Sequence, residues 1–247
     1  DEFSEHSSGS PIPAPSGRPR APSPPLVAPT EARFTSPAFP VLDITPDFTF
    51  EEFVYALKRA RNGAPGPSGI TYALLRALPQ VVQMAFWAIL LRCLQLQQLP
   101  SSFLLGHIYT LAKPGEPSLH NVRPITLMEC SLKILTGILN KRLMDGLLAN
   151  GVFCALQFGF IPGRSGTDPI YILKHAMEDA KERNINIYLM LVDLEKAFDS
   201  VEAWSLLLSY KWAGLSEASA AMLSALDGKG MARVITPFGL TRPHHVE

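Results

Sequence analysis

The chain has 247 residues, 47% of them hydrophobic, and its 22 basic and 22 acidic residues give a formal net charge of zero. This length allows a substantial core in one large domain or two small ones. The opening residues contain no apolar signal core, and the longest uninterrupted apolar stretch, 84–91, is too short to cross a bilayer. We therefore expect an intracellular protein without a membrane span, located in the nucleus or the cytoplasm.

The three cysteines, Cys93, Cys130 and Cys154, are isolated in apolar sequence and do not have the spacing of metal ligands. Cysteines in such contexts are usually small buried hydrophobic residues. The pattern predicts three buried, reduced thiols and implies neither a zinc site nor a disulfide.

The first 46 residues contain 11 of the 22 prolines, with Ser, Gly and Ala between them. Such a composition does not build a packed core, so we predict a disordered, partly extended linker over 1–46. The segment would serve as a plain spacer or as a proline-rich ligand for a groove-type recognition module, and the sequence does not distinguish the two.

Folding is predicted to begin at Thr49, where Thr49 and Glu52 have the spacing of a capping box and the apolar residues that follow line one helical face. The Gly- and Pro-rich segment 62–69 then ends this helix. That segment is either a rigid corner or a loop whose free backbone amides approach a phosphate.

Hydrophobic periodicity predicts the remaining elements in chain order. Helices are expected at about 80–98, 131–149, 168–183 and 200–212, and strands near 107–112, 123–127, 187–192 and 231–235. Helix 131–149 has an apolar stripe that core packing explains without a ligand. Segment 227–230 is predicted to be a hairpin turn.

The run 187–192 is continuously apolar and rich in strand-forming residues, which predicts a central strand covered on both faces. Asp193 follows directly at the end of this strand. An ionised carboxylate in such a place needs a compensating partner, and a divalent cation with oxygen ligands is a common one.

Charge is unevenly distributed along the chain. Residues 58–164 contain 11 basic and 3 acidic residues, whereas residues 165–247 contain 8 basic and 11 acidic ones. A basic region followed by an acidic one suits a protein that holds phosphates with the first and metal ions with the second. Ordinary solvated helix faces would also produce this asymmetry.

Residues 193–199, Asp-Leu-Glu-Lys-Ala-Phe-Asp, resemble the first catalytic motif of reverse transcriptases, in the form found in non-LTR (LINE-type) retrotransposons. Three further segments resemble motifs of the same family in the same order: NGAPGPSGIT at 62–71, AKPGEPSLHNVRPITLMECSLKILTGILNKRL at 112–143 and QFGFIPGRSGTDPIYIL at 157–173. Val122 stands where the family usually has Tyr, and Ser68 stands where it usually has Asp. Four ordered motifs are far less expected by chance than one.

The resemblance implies an α+β fold, the right-hand polymerase fold of reverse transcriptases, with fingers at about 47–185 and the start of the palm at about 186–247. It also implies an RNA-directed DNA polymerase that adds deoxynucleoside triphosphates to a primer 3′-hydroxyl by a two-metal mechanism. The implied partners are an RNA template, a DNA primer and dNTPs, with a possible endonuclease region upstream on the same polyprotein.

The resemblance assigns a role to each candidate site residue near the catalytic motif. Asp193 would be the catalytic carboxylate that bridges two Mg²⁺ or Mn²⁺ ions, and the Leu194 carbonyl would be a further metal ligand. Phe198 would lie under the incoming sugar and select deoxynucleotides. Asp199 has the position of a cap for the helix predicted from Ser200, and we do not interpret it as a ligand.

Five other residues are expected to bind nucleotide or template. Lys113 and Arg123 match the basic pair of the fingers hairpin that grips the triphosphate, Lys as a point charge and Arg as a planar fork. Gln157, Gly159 and Arg164 match the segment that lines the template path.

In the family, a Gln-Gly motif, an Asp-Asp hairpin and a thumb follow these segments, and the sequence ends at Glu247 before them. We therefore expect a truncated polymerase whose metal site is incomplete and which extends no primer alone, even with magnesium. The alternatives are a group II intron-type reverse transcriptase or maturase, and a degenerate, non-catalytic nucleic-acid-binding remnant.

Overall fold

The computed structural model describes residues 39–115, 122–194, 197, 200–227 and 230–245. The helices in this part of the chain are α1 (Phe50–Arg59), α2 (Tyr72–Ala77), α3 (Gln80–Leu96), α4 (Cys130–Ala149), α5 (Thr167–Glu182), α6 (Ala203–Trp212) and α7 (Glu217–Asp227). The strands are β1 (Leu105–Ala112), β2 (Val122–Leu127), β3 (Met231–Thr236), β4 (Gly239–Leu240) and β5 (His244–His245). None of the described helices is long and apolar enough to span a membrane.

Helix α1 begins where the sequence predicts. The Thr49 hydroxyl accepts a hydrogen bond from the Glu52 amide at 3.2 Å, and the Glu52 carboxylate accepts one from the Thr49 amide at 2.9 Å. This reciprocal pair satisfies two amides that a helix otherwise leaves without partners. The predicted capping box is therefore confirmed.

The main core lies between α1, α3 and α4. Helix α1 contributes Phe53 and Leu57, and α4 contributes the predicted apolar stripe, of which Leu135 is fully buried. Burial of each of these large side chains stabilises the fold by about 1.5–3 kcal/mol. The largest of the almost fully buried side chains among the described residues include Ile44, Phe48, Phe53, Leu90, Leu94, Cys130, Ile134, Leu135, Leu139, Ser219 and Met222.

A mixed sheet has the strand order β2-β1-β3-β4, and β5 also pairs with β3. Strands β1 and β2 form the predicted antiparallel hairpin, whereas β1 and β3 run parallel, with Leu105 opposite Met231. The sheet therefore joins strands from both sides of the fingers and palm boundary that the sequence suggests near residue 185.

The prediction of a disordered segment extends too far towards α1. Leu42 forms a bridge with Leu215, its amide bonding the Gly214 carbonyl at 2.8 Å, and Ile44 is fully buried. The Ile44 amide also donates to the Ser219 hydroxyl at 2.9 Å. The Leu42 side chain lies against Gly146 of α4, and Ile44 shares a core cluster with Met222 of α7. Residues 39–46 therefore belong to the fold despite their prolines.

The prediction of a buried central strand at 187–192 is wrong. Residues 185–194 have no regular secondary structure, and Tyr188 is 91% and Leu191 85% exposed. A central strand requires hydrogen-bonded neighbours on both sides, and no described strand pairs with this segment. Helix α5, which precedes it, likewise buries none of its residues.

Two boundaries near the C-terminal end also differ from the sequence predictions. Helix α6 begins at Ala203 with Glu202 in the N-cap position, so the predicted start at Ser200 is wrong, and Asp199 lies outside the described residues. The element described before β3 is helix α7 and not a strand, and the hairpin turn predicted at 227–230 includes residues 228 and 229, which lie outside the described residues. The Ala-rich sequence of α7 favours a helix.

Candidate functional site

The two predicted triphosphate-binding residues lie near the end of the β1–β2 hairpin at which the chain passes from β1 to β2. Arg123 is opposite Leu111 in the antiparallel register, and Lys113 follows Leu111 by two residues. Alternate residues of a strand share a face and cross-strand partners share it too. Lys113 is the first residue after β1, which ends at Ala112, and the alternation of β1 continued by one residue would place it on the face that carries Arg123. Both residues are exposed.

The base of this hairpin is held by a contact that the sequence did not reveal. Glu129, which follows β2 and is only 5% exposed, accepts hydrogen bonds from the Ser68 amide at 2.7 Å and the Ser68 hydroxyl at 2.5 Å. Gly66 packs so closely that a Cβ there would lie 2.6 Å from the Glu129 nitrogen. The Gly- and Pro-rich turn is therefore a rigid corner docked on the hairpin, and its Ser68 amide is already occupied.

Ser68, which stands where the family usually has Asp, suits this contact. An Asp at position 68 would place a second carboxylate against the buried Glu129 carboxylate, which is unfavourable. Ser68 instead supplies two donors to the same acceptor group. Glu129 lies within the motif at 112–143, but the sequence analysis did not single it out as a site residue, and the structure gives it a positioning role.

The three predicted template-binding residues lie together in one loop. The Arg164 guanidinium donates to the carbonyl oxygens of Cys154 at 2.8 Å and Gln157 at 2.5 Å, and the Gln157 amide donates to the Gly159 carbonyl at 3.1 Å. Arg164 thus fixes the shape of the loop. The next residue after Gly159, Phe160, has a φ of 62° and is 92% exposed, a combination that costs backbone strain in a bulky residue.

Asp193 and Leu194 are both exposed and lie in the irregular segment after α5. Magnesium takes six oxygen ligands, several of them from water or substrate. No group of three or more His, Cys, Asp or Glu residues with the geometry of a metal site occurs within the described ranges. One carboxylate and one carbonyl do not fit a complete magnesium site, and Phe198 and Asp199 lie outside the described residues.

The cysteines match the prediction only in part. Cys93 and Cys130 are buried, and burial raises the pKa of both thiols. Cys154 is exposed in the loop to which the Arg164 guanidinium is bonded, so the prediction of burial is wrong for this residue. Its apolar neighbours in sequence belong to a surface loop that Arg164 shapes, and they do not enclose it.

Helices and a mixed sheet within one unit define an α+β protein, and the turn, hairpin and loop motifs all lie on its described surface. Residues 111–240, more than half of the chain, match the family model described as reverse transcriptase (RNA-dependent DNA polymerase). The chain belongs to the reverse transcriptase family.

The similar proteins come from non-LTR, LINE-type elements. The chain is 26% identical over 193 residues to the probable RNA-directed DNA polymerase from transposon X-element of Drosophila melanogaster, covering 77% of this chain and 21% of that protein. It is also 26% identical to the Pol polyproteins of type-1 retrotransposable elements R1 of Bradysia coprophila, over 67% of this chain and 16% of that protein, and R2 of Nasonia vitripennis, over 61% and 14%. The chain thus spans about a fifth or less of the length of these relatives.

Proposed function

We propose that this chain contributes the nucleotide-gripping and template-guiding part of an RNA-directed DNA polymerase of a non-LTR retrotransposon. The reaction is the transfer of a deoxynucleotide to a primer 3′-hydroxyl under the direction of an RNA template. Its partners are RNA, a DNA primer and dNTPs, inside the cell. An endonuclease region on the same polyprotein is part of the same proposal.

The observation that carries the proposal is the register of the β1–β2 hairpin, in which Arg123 lies opposite Leu111 and Lys113 follows Leu111 by two residues. A triphosphate is a dense anion, and a planar guanidinium beside an ammonium group satisfies its oxygens from two directions. The hydrogen bonds from Ser68 to Glu129 attach the base of the hairpin to the turn at 62–69. The two basic residues therefore lie on an element that is held in place. Preorganised donors of this kind bind phosphates with little cost in ordering.

The roles of the other site residues belong to the same proposal. Asp193 supplies one carboxylate, and Leu194 one carbonyl, to a divalent-metal site whose remaining ligands are not among the described residues. When bound, magnesium or manganese would activate the primer hydroxyl and neutralise the triphosphate. Phe198 selects the deoxyribose. The loop 157–164, which contains Gln157, Gly159 and Arg164 and is called the template loop below, guides the template.

Nucleotide titration tests this proposal without requiring turnover. A fluorescent dNTP is titrated into the chain in the presence of magnesium, and Lys113→Ala and Arg123→Ala are each expected to weaken binding about tenfold, or about 1.4 kcal/mol. Arg123→Lys is expected to recover only part of the loss, because Lys keeps the charge without the fork.

The control is Lys174→Ala on α5, where the lysine side chain is 65% exposed and paired with Glu178. This variant removes an exposed cation far from the hairpin in sequence and should bind the nucleotide as the unsubstituted chain does. Equal affinities for the unsubstituted chain, Lys113→Ala and Arg123→Ala would refute the proposed role of the hairpin.

A further inference from the structure

We propose that the cleft between α1 and α4 is a binding site for single-stranded nucleic acid, separate from the nucleotide-gripping hairpin. The cleft has a volume of about 930 Å³, and Pro162 of the template loop forms part of its wall. Sites for drug-sized ligands span about 300–1,000 Å³, so this one has room for more than a single base. The inference rests on the proposed function, since it extends the template path beyond the loop.

An aromatic and guanidinium pair lines the α1 side of the cleft. The Arg59 guanidinium lies 5.6 Å from the centroid of the Tyr55 ring, and Arg59 also donates to the Tyr55 hydroxyl at 3.1 Å. Tyr55 is 47% exposed. Exposed aromatic rings and arginine planes are the groups on which unpaired bases stack, whereas paired bases within a duplex do not offer their faces.

The charges around the cleft are largely paired, and the surplus is positive. Glu52 is bound by Arg142, and Asp145 by Lys141, which removes two acids and two bases from consideration. The remaining charged residues of the lining are two bases, Arg59 and Lys133, and one acid, Glu51. A modest positive surplus with an aromatic platform favours a polyanion that binds mainly through its bases, with a shallow dependence on salt.

Gly137 provides an independent observation at the floor of the cleft. It lies in the interior of α4, where glycine is unfavourable relative to alanine, yet a Cβ there would meet no atom within 4 Å. No neighbouring protein atom therefore requires this position to be a glycine. The open space above Gly137 is the cleft itself, which a side chain at this position would fill.

The cleft is continuous with the loop through Pro162, two residues after the exposed Phe160 and two before Arg164. Tyr55 and Arg59 line the same cleft as Pro162. The stacking groups Tyr55 and Arg59, together with the positive surplus of the lining, favour a nucleic-acid strand over a protein segment as the occupant.

Fluorescence polarisation with a labelled single-stranded oligouridylate tests the inference on the full chain. Tyr55→Ala is expected to weaken binding about tenfold, and Tyr55→Phe to leave it within about twofold, because stacking needs the ring and not the hydroxyl. Arg59→Gln is expected to weaken binding and to reduce the slope of log affinity against log salt by about 0.7.

Gly137→Leu separates occupancy of the cleft from folding. It is expected to weaken binding about tenfold while the melting temperature does not fall, since leucine favours a helix over glycine. Lys174→Ala is the control for loss of an exposed, ion-paired lysine and should bind normally. Since Arg59 is an exposed side chain, Arg59→Gln decides the question if the Tyr55 variant fails to fold.

The outcomes distinguish this inference from the proposed function. If the chain binds both dNTP and oligouridylate, but Tyr55→Ala, Arg59→Gln and Gly137→Leu bind like the unsubstituted chain, the cleft is not the site and the proposed function stands. If the chain binds neither ligand, both fail. Duplex RNA that binds equally well, with the same sensitivity to these three variants, would overturn the single-strand assignment.

Discussion

Arg142 connects helix α4 to the segment before helix α1, and we expect its replacement to lower the stability of the fold. Its guanidinium donates two hydrogen bonds to Glu52, at 3.0 and 2.9 Å, and further bonds to the carbonyl oxygens of Ile44, Pro46 and Asp47. One side chain on α4 thus holds the chain from residue 44 to the first turn of α1.

The expected magnitude follows from the kind of bonds that are lost. Hydrogen bonds to charged groups contribute about 1.5–3 kcal/mol each, but the Glu52 side chain is 38% exposed and regains water when its partner is removed. We therefore expect Arg142→Ala to lower the free energy of unfolding by about 2–4 kcal/mol. Arg142→Lys should cost about half as much, because Lys keeps the charge but loses the fork.

The neighbouring residue offers a matched control. Lys141 pairs with Asp145 on the same helix, but both side chains are more than half exposed. Exposed pairs of this spacing contribute less than about 0.5 kcal/mol, so Lys141→Ala should barely change stability. Urea denaturation followed by circular dichroism measures all three variants, and a loss below about 1 kcal/mol for Arg142→Ala would refute the reasoning.

The same contact should make stability depend on pH. Burial alone would raise the pKa of the Glu52 carboxyl, but hydrogen bonds from Arg142 and the Thr49 amide, with the charge of Arg142, outweigh it and hold the pKa below its ordinary value of 4.5. A lowered pKa stabilises the folded state above the ordinary value, and this contribution is lost as the pH falls through the folded-state pKa. Arg142→Ala should flatten that acid-side decline.

Two further predictions concern buried contacts elsewhere. Ser68→Asp should destabilise the fold by about 2–4 kcal/mol, because it places a second carboxylate against Glu129. In urea denaturation, the added Glu129→Gln substitution should recover most of this loss, and equal stabilities of the single and double variants would contradict the contact. Cys154 should react with a thiol reagent in the native state, whereas Cys93 and Cys130, buried and with raised pKa, should react only on unfolding; three equally fast thiols would contradict the assigned burial.

Local signals in the sequence predicted local structure well. Thr49 and Glu52 are three residues apart, so the start of α1 could be read directly, and the apolar periods of α3 and α4 placed both helices within two residues. The strands of the hairpin were also predictable, because β1 and β2 are neighbours in sequence.

Contacts between distant parts of the chain were not predictable in this way. Glu129 and Ser68 are separated by 61 residues, and no pattern within either segment indicates the other. The buried Ile44 donates its amide to Ser219, which is 175 residues away. The proline-rich composition around Ile44 gives no sign of this contact, so the segment was predicted to be disordered. The error at 187–192 has the same origin, because strand propensity describes a segment and not the presence of its neighbours.

The exposed apolar run at 187–192 has a practical consequence for work on Asp193. An unpaired segment with strong strand propensity, no charge and no proline is a template for self-association between copies. Asp193 is the charge that borders this run, and charges at such positions limit aggregation. Replacing it with Ala removes a proposed metal ligand and this protection together, so Asp193→Glu, monitored by light scattering, is the more informative comparison.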